Sequence, residues 1–160
     1  MKIKLNYLLF AFALTMMSFG FSSCSKDEDD PGAGGTPKAN FLDASVNGKK
    51  IVPIGAPIFT YDANTGNFDM LVKDNDQVSS LAVYFNVNGG NTQNFGSGDC
   101  YGNVQTSTFN DGLYSATSGT LNLTTNDKSG RVVAGNFTFT AVNSEMETVS
   151  VTGGNFYIKY

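Results

Sequence analysis

Carboxylates are the only abundant acid–base groups in this 160-residue chain, which has 14 Asp and Glu and no histidine. Without imidazole there is no Ser-His-Asp or Cys-His relay, no His-based zinc site and no ordinary neutral-pH general base. What remains is paired-carboxyl chemistry. One carboxyl protonates a glycosidic oxygen while a second, about 5 to 9.5 Å away, acts as base or nucleophile. Beyond residue 40 the acids are Asp43, Asp62, Asp69, Asp74, Asp76, Asp99, Asp111, Asp127, Glu145 and Glu147. Most fall in turn-rich stretches, where Asp caps its own backbone. Asp43 and Asp69 sit opposite the better apolar face of their strands, and no two acids stand out as a pair. Asp62, Asn64 and Gly66, or Asp74, Asn75 and Asp76, offer oxygen ligands to calcium. Neither run has the Gly at position 6 and Glu at position 12 of an EF-hand loop. The softer candidate is a binding surface. Tyr101, Phe109 and Tyr114 lie among Asn, Ser and Asp, and aromatic faces beside hydrogen-bonding groups can hold a sugar. The competing reading makes these rings core residues beneath irregular loops. No catalytic residue, metal or cofactor is assigned.

The two cysteines have different surroundings. Cys24 follows Lys2, Lys4, an apolar run of about 15 residues from Tyr7 to Phe21, and the small residues Ser22 and Ser23. The run falls short of the ~20 residues needed to cross a bilayer as a helix. A basic start, a short apolar stretch and small residues at its end describe a secretory signal peptide, residues 1–23. FSSC resembles the lipobox of bacterial lipoproteins. That resemblance implies a diacylglyceryl group on the Cys24 thiol, cleavage before it and acylation of the new amine. SKDEDD follows, and Lys26, Asp27, Glu28, Asp29 and Asp30 resemble the surface-export signal of Bacteroidota lipoproteins. The alternative for these acids is a solvated tether that specifies no leaflet. One myristoyl chain binds a membrane only marginally, whereas two or three long chains hold permanently. Cys100 is then a single thiol, without an intrachain partner and open to intermolecular pairing.

Cleavage before Cys24 leaves 8 basic and 14 acidic side chains, a net charge of −6. An acidic domain without a Lys/Arg cluster lacks the footprint of a nucleic-acid binder, and its overall charge draws it to no anionic membrane. The absence of Trp removes the strongest sugar-stacking residue. Residues 24–39 hold the lipidated Cys and a tether of charge, Gly and Pro with no apolar face, for which order is not expected. Its r.m.s. reach is roughly 20 Å.

Residues 40–160 form one domain with a period of two. FLDASV, Asn47-Gly48 and KKIVP read as a hairpin on a tight two-residue turn. PIFTY and FDMLVK flank DANTGN in a second. Leu81, Val83, Phe85 and Val87 share one face of a half-buried strand. Short strands are expected near 92–96, 103–108 and 113–116. Further strands carry Leu121 and Leu123, then Phe137, Phe139 and Ala141, then Val149 and Val151. Gly153-Gly154 is read as a turn into a last strand with Phe156 and Ile158. No sustained helical period occurs. The fold class is all-β, a single antiparallel β-sandwich of about ten short strands, with a closed or partly open β-barrel as the alternative. Strands with one buried face must pack as two sheets or curl as one.

The tail supplies a further resemblance. Gly119 to Thr124 (GTLNLT), Gly135 to Ala141 (GNFTFTA) and Val149 to Phe156 (VSVTGGNF) look like the signature of a family of Bacteroidota lipoproteins of unknown function. FLDASVNGKKI resembles that family's first hairpin. These are strand and turn residues, so the resemblance implies a scaffold and carries over no catalytic residue. The resulting expectation is a lipid-anchored outer-membrane protein facing the cell exterior. It acts as a binding or structural module toward a glycan or an outer-membrane protein partner. The alternative is a carboxylate-dependent hydrolase of extracellular glycans.

Overall fold

The structure, a computed structural model, describes residues 39–75, 78–106 and 112–160. Residues 1–38, with Cys24 and the acids Asp27 to Asp30, lie outside the described residues, and so do Asp76, Phe109 and Asp111. Lys38–Tyr160 forms a compact unit of its own. Ten strands are present: β1 (Phe41–Val46), β2 (Lys49–Lys50), β3 (Ile58–Asp62), β4 (Asn67–Val72), β5 (Val78–Asn86), β6 (Thr92–Phe95), β7 (Tyr101–Thr106), β8 (Leu113–Asp127), β9 (Val132–Val142) and β10 (Thr148–Lys159). No helix occurs among the described residues.

All ten strands are antiparallel members of one hydrogen-bonded sheet in the order β2-β1-β10-β9-β8-β7-β5-β4-β3, with β6 also on β8. The sheet curls into a half-barrel, so the inner faces of its two ends meet as the layers of a sandwich would. The ring of Phe85 on β5 lies 5.2 Å from that of Phe156 on β10, although neither strand borders the other. Its margins also approach each other. Ile51 donates its N–H to the Ala44 carbonyl at 2.9 Å, and Ile54 donates to the Lys73 carbonyl at 2.9 Å. The segment after β2 thereby ties the β1 margin to the end of β4. At the opposite end Tyr61 of β3 meets Tyr160 at 4.4 Å between centroids.

Local sequence explains most elements. Asn47 (φ 49°) and Gly48 (φ 79°) make the positive-φ turn between β1 and β2. Alternation then selects the buried face: Leu42, Ala44 and Val46 on β1, Phe68, Met70 and Val72 on β4, Leu81, Val83 and Phe85 on β5. Two expectations change in the last third. The runs at 113–116 and 121–124 are parts of one strand, β8. Gly119 (φ 135°) lets it change course where its neighbour switches from β7 to β6. Gly153-Gly154 is a bulge inside β10, not a turn: the register with β9 slips between Val151 and Gly154. Gly153 takes a φ of 62°, which absorbs the extra residue and lets the strand continue.

Glycines also face large rings. Gly135 opposes Phe156 and Gly154 opposes Phe137 across the β9–β10 ladder. A Cβ on Gly135 would sit 2.9 Å from the Phe156 ring and also meet the Asn122 carbonyl oxygen. Each ring lies over the vacant side of a glycine, which permits close packing on a curved sheet. Gly135→Ala is therefore expected to destabilise the domain by about 1–3 kcal/mol through overpacking. Urea denaturation reads this directly, and a midpoint unchanged from wild type would contradict the packing argument.

Candidate functional site

The outer face of β3, β4, β5 and β7 carries the most distinctive side-chain row. Register places Thr60 beside Asp69, Asp69 beside Tyr84, and Tyr84 beside Tyr101. Their inward neighbours Phe68, Met70, Val83 and Phe85 are buried, so period two turns the row outward. The Tyr84 and Tyr101 rings are 5.7 Å apart and inclined at 53°. Tyr101 is 55% exposed. Thr60 Oγ1 lies at 3.5 Å from Asp69 Oδ2, leaving the carboxylate with one long partner in this row. Asn103, opposite Ala82, adds an exposed amide beside Tyr101 on the same face of β7. The chemistry on offer is two apolar ring surfaces with a carboxylate, a hydroxyl and an amide within the same patch.

The aromatic residues singled out from sequence do not all join this row. Tyr101 does. Tyr114 is a correction: it is 8% exposed and points to the inner face of β8. Its hydroxyl donates to Glu147 Oε2 at 3.0 Å, and Asn143 Nδ2 donates to the same oxygen at 2.9 Å. Tyr114 and Glu147 thus brace the β9–β10 connection. Tyr84 was missed. Its signal was present, since it alternates with Leu81, Val83 and Phe85, but nothing local shows that Tyr101 is its neighbour.

The acids are dispersed into backbone work. Asp62 accepts the Asn64 N–H at 2.9 Å and the Thr65 hydroxyl at 2.8 Å. Asp127 Oδ1 accepts the Ser129 hydroxyl and the N–H groups of Ser129 and Gly130 at 2.7 to 3.0 Å. The Thr65 hydroxyl and Asn64 N–H hold the Asp62 carboxyl below the usual range, and the Gly130 N–H and Ser129 hydroxyl do the same for Asp127. Such groups are poor proton donors. Asp74 Oδ1 accepts the Val52 N–H at 3.0 Å, and Asp99 Oδ2 accepts the Ser97 hydroxyl at 2.8 Å. Asp43 sits on β1 opposite Asn155. Among the described residues no cluster of three or more His, Cys, Asp or Glu is placed to hold a metal.

Two buried polar groups need an account. Gln93 is fully buried, and its amide replaces a strand partner for the end of β5. Oε1 accepts the Asn86 N–H at 3.1 Å, while Nε2 donates to the carbonyls of Asn86 at 2.6 Å and Gly90 at 3.2 Å. Cys100 is fully buried, and desolvation, aided by Asp99, pushes its thiol up to about 12. It stays a thiol at neutral pH, so it is a weak nucleophile packed in the core.

The depressed carboxyls give a pH dependence with a definite sign. Their folded pKa values lie below the ordinary 3.8, so their contribution is whole above that value and is lost as pH falls through the folded ones. Asp127→Asn should lower the melting temperature at pH 7, and the gap from wild type should close in stronger acid. A gap that persists at low pH would show that the carboxylate charge plays no part. The chain matches no known protein family, and comparison with curated proteins and with solved structures finds no match.

Proposed function

We propose that this protein is a lipid-anchored binding module of the outer membrane, facing the cell exterior, and that its outer sheet face takes a carbohydrate. The outward Tyr84–Tyr101 pair, with Tyr101 exposed and Tyr84 half-buried, carries the reading. Large aromatic surface standing in water on a regular sheet, with Asp69, Thr60 and Asn103 around it, suits a ligand with apolar ring faces and a hydroxyl rim. Sugars have both. Aromatic rings supply that surface at low entropic cost because they have two side-chain torsions. A rigid sheet places them without induced fit, which limits the ordering cost of association. Among the described residues Asp62, Asp74, Asp99 and Asp127 are engaged by turn and loop groups, which supports binding over hydrolysis. The membrane part of the proposal rests on the sequence pattern that ends at Cys24, and on SKDEDD for the direction of display.

The test is a glycan array probed with a soluble 31–160 chain. Binding without release of reducing ends is expected. Tyr101→Ala and Tyr84→Ala should each weaken it about tenfold, the scale of ~1–2 kcal/mol for a desolvated aromatic contact. Equal binding by both variants would remove the row from consideration, and release of reducing ends would favour the hydrolase. Attachment is tested separately. Cys24→Ala should abolish labelling by radioactive fatty acid in cells, and retained labelling would refute the anchor. Replacing Asp27 to Asp30 with Ala should reduce access of external protease on intact cells.

A further inference from the structure

The stretch from Lys50 to Ile58 reads KIVPIGAPI and has no hydrogen-bonding side chain after its lysine. Ile51 alone of its large apolar residues enters the core, at 1% exposure. Val52, Ile54 and Ile58 stand in water at 59%, 59% and 57% exposure. These are three of the six exposed large hydrophobic residues among those described, gathered within seven positions. A connection between strands is ordinarily polar, so this one departs from the rule.

The loop is also held in place. Val52 donates its N–H to Asp74 Oδ1 at 3.0 Å, Ile54 donates to the Lys73 carbonyl at 2.9 Å, and the Asn75 N–H reaches the Val52 carbonyl at 3.4 Å. Pro53 forms a bridge with Asp74, and Pro57 fixes a second backbone torsion. Apolar tips are therefore presented on a backbone that is already ordered. Lys50 precedes the loop, and Lys73 lies against Ile54; both are exposed. Apolar side chains flanked by lysines are the pattern of a surface that rests in a bilayer interface, rings or alkyl groups inward and ammonium groups at the headgroups.

We propose that the 52–57 loop, with Ile58 at the start of β3, is a second membrane contact, which seats the domain on the bilayer that holds Cys24 by inserting Val52, Ile54 and Ile58 and pairing Lys50 and Lys73 with anionic phosphate headgroups. The inference rests on the anchored reading above. The length of chain between Cys24 and β1 supports it. A flexible chain of that length would have an r.m.s. reach of roughly 20 Å. The chain enters the loop beside Ala44, whose carbonyl accepts the Ile51 N–H, and the three residues from the start of β1 to that point span about 10 Å. The tether therefore lets the loop reach the surface. The protein's overall acidity provides no long-range attraction. None is required, because a tether holds the loop at high local concentration and the two lysines act within a Debye length of about 8 Å.

The absence of Trp makes the test clean. A chain from Cys24 to Tyr160 carrying Ile54→Trp is coupled through Cys24 to maleimide-bearing vesicles of phosphatidylcholine and phosphatidylglycerol. The buried Cys100 thiol is spared. Coupling supplies the tether whether or not cells lipidate Cys24, so failure here is distinct from failure of the anchor, which fatty-acid labelling reads. The expected result is a blue-shifted tryptophan emission that shrinks at high salt. Adding Lys50→Glu should lower the inserted-to-free ratio at least about fivefold, the worth of one basic residue at an anionic surface. Tyr101→Trp, at an exposed position away from the loop, should not shift. Emission from Ile54→Trp unchanged by coupling, or an equal shift at both positions, would overturn the proposal.

Discussion

A continuous column of aromatic contacts inside the curled sheet is the feature on which the rest depends. It runs from Phe95 on β6 to Phe139 (4.8 Å), Phe137 (6.1 Å) and Phe156 (6.4 Å), then to Phe85 (5.2 Å) and Phe68 (5.3 Å). Tyr61 and Tyr160 close it at 4.6 and 4.9 Å from Phe68. Full burial of each Phe contributes on the order of 1.5–3 kcal/mol, so four such residues at 2% exposure or less outweigh any polar network in the domain. One-sided burial forces the sheet to bend until its margins meet. The cross-strand glycines at 135 and 154 are where that bending is accommodated.

The same constraint assigns places to polar chemistry. Inner positions are taken by apolar side chains, with Gln93 and Asn143 as the buried polar exceptions among the described residues, both hydrogen-bonded. Acids are left to turns, to the outer face and to the margins. Asp62, Asp74, Asp99 and Asp127 accept from turn or loop groups, so their lone pairs stabilise connections. Asp69 instead lies on the regular outer face beside Tyr84. Where a strand reaches past its neighbour, a side chain fills in for the missing ladder, as Gln93 does for Asn86. On the outer face Asn86 reaches the Thr65 carbonyl and so holds the β3–β4 turn, while Asp69, Tyr84, Tyr101 and Asn103 stand along the regular strands beside it.

Some elements were legible because the information is local. Asn47-Gly48 specifies its turn through two positive φ angles that few other residue pairs adopt. The alternation of Leu81, Val83 and Phe85 specifies both a strand and its buried face. The Gly153-Gly154 pair was not legible. Two glycines permit a reversal or a bulge equally, and the choice depends on whether β9 extends beside them, which it does. Tyr114 was ambiguous for a related reason. An aromatic ring near Gly, Asn and Asp is compatible with either face until the neighbouring strand is known, and its partner Glu147 is 33 residues away.

Period-two alternation, paired with turn residues of fixed backbone preference, was enough to determine an all-strand domain, its approximate strand count and most of its core. These depend on contacts between near neighbours in the chain. The tertiary structure alone decided that one sheet runs unbroken through every strand, that Tyr84 stands beside Tyr101, and that Ile54 is held against Lys73. Strand order and register arise from pairings between distant segments, and a shift of one residue would reverse which side chains face out. The candidate surface is a property of that register, which no single stretch of sequence contains.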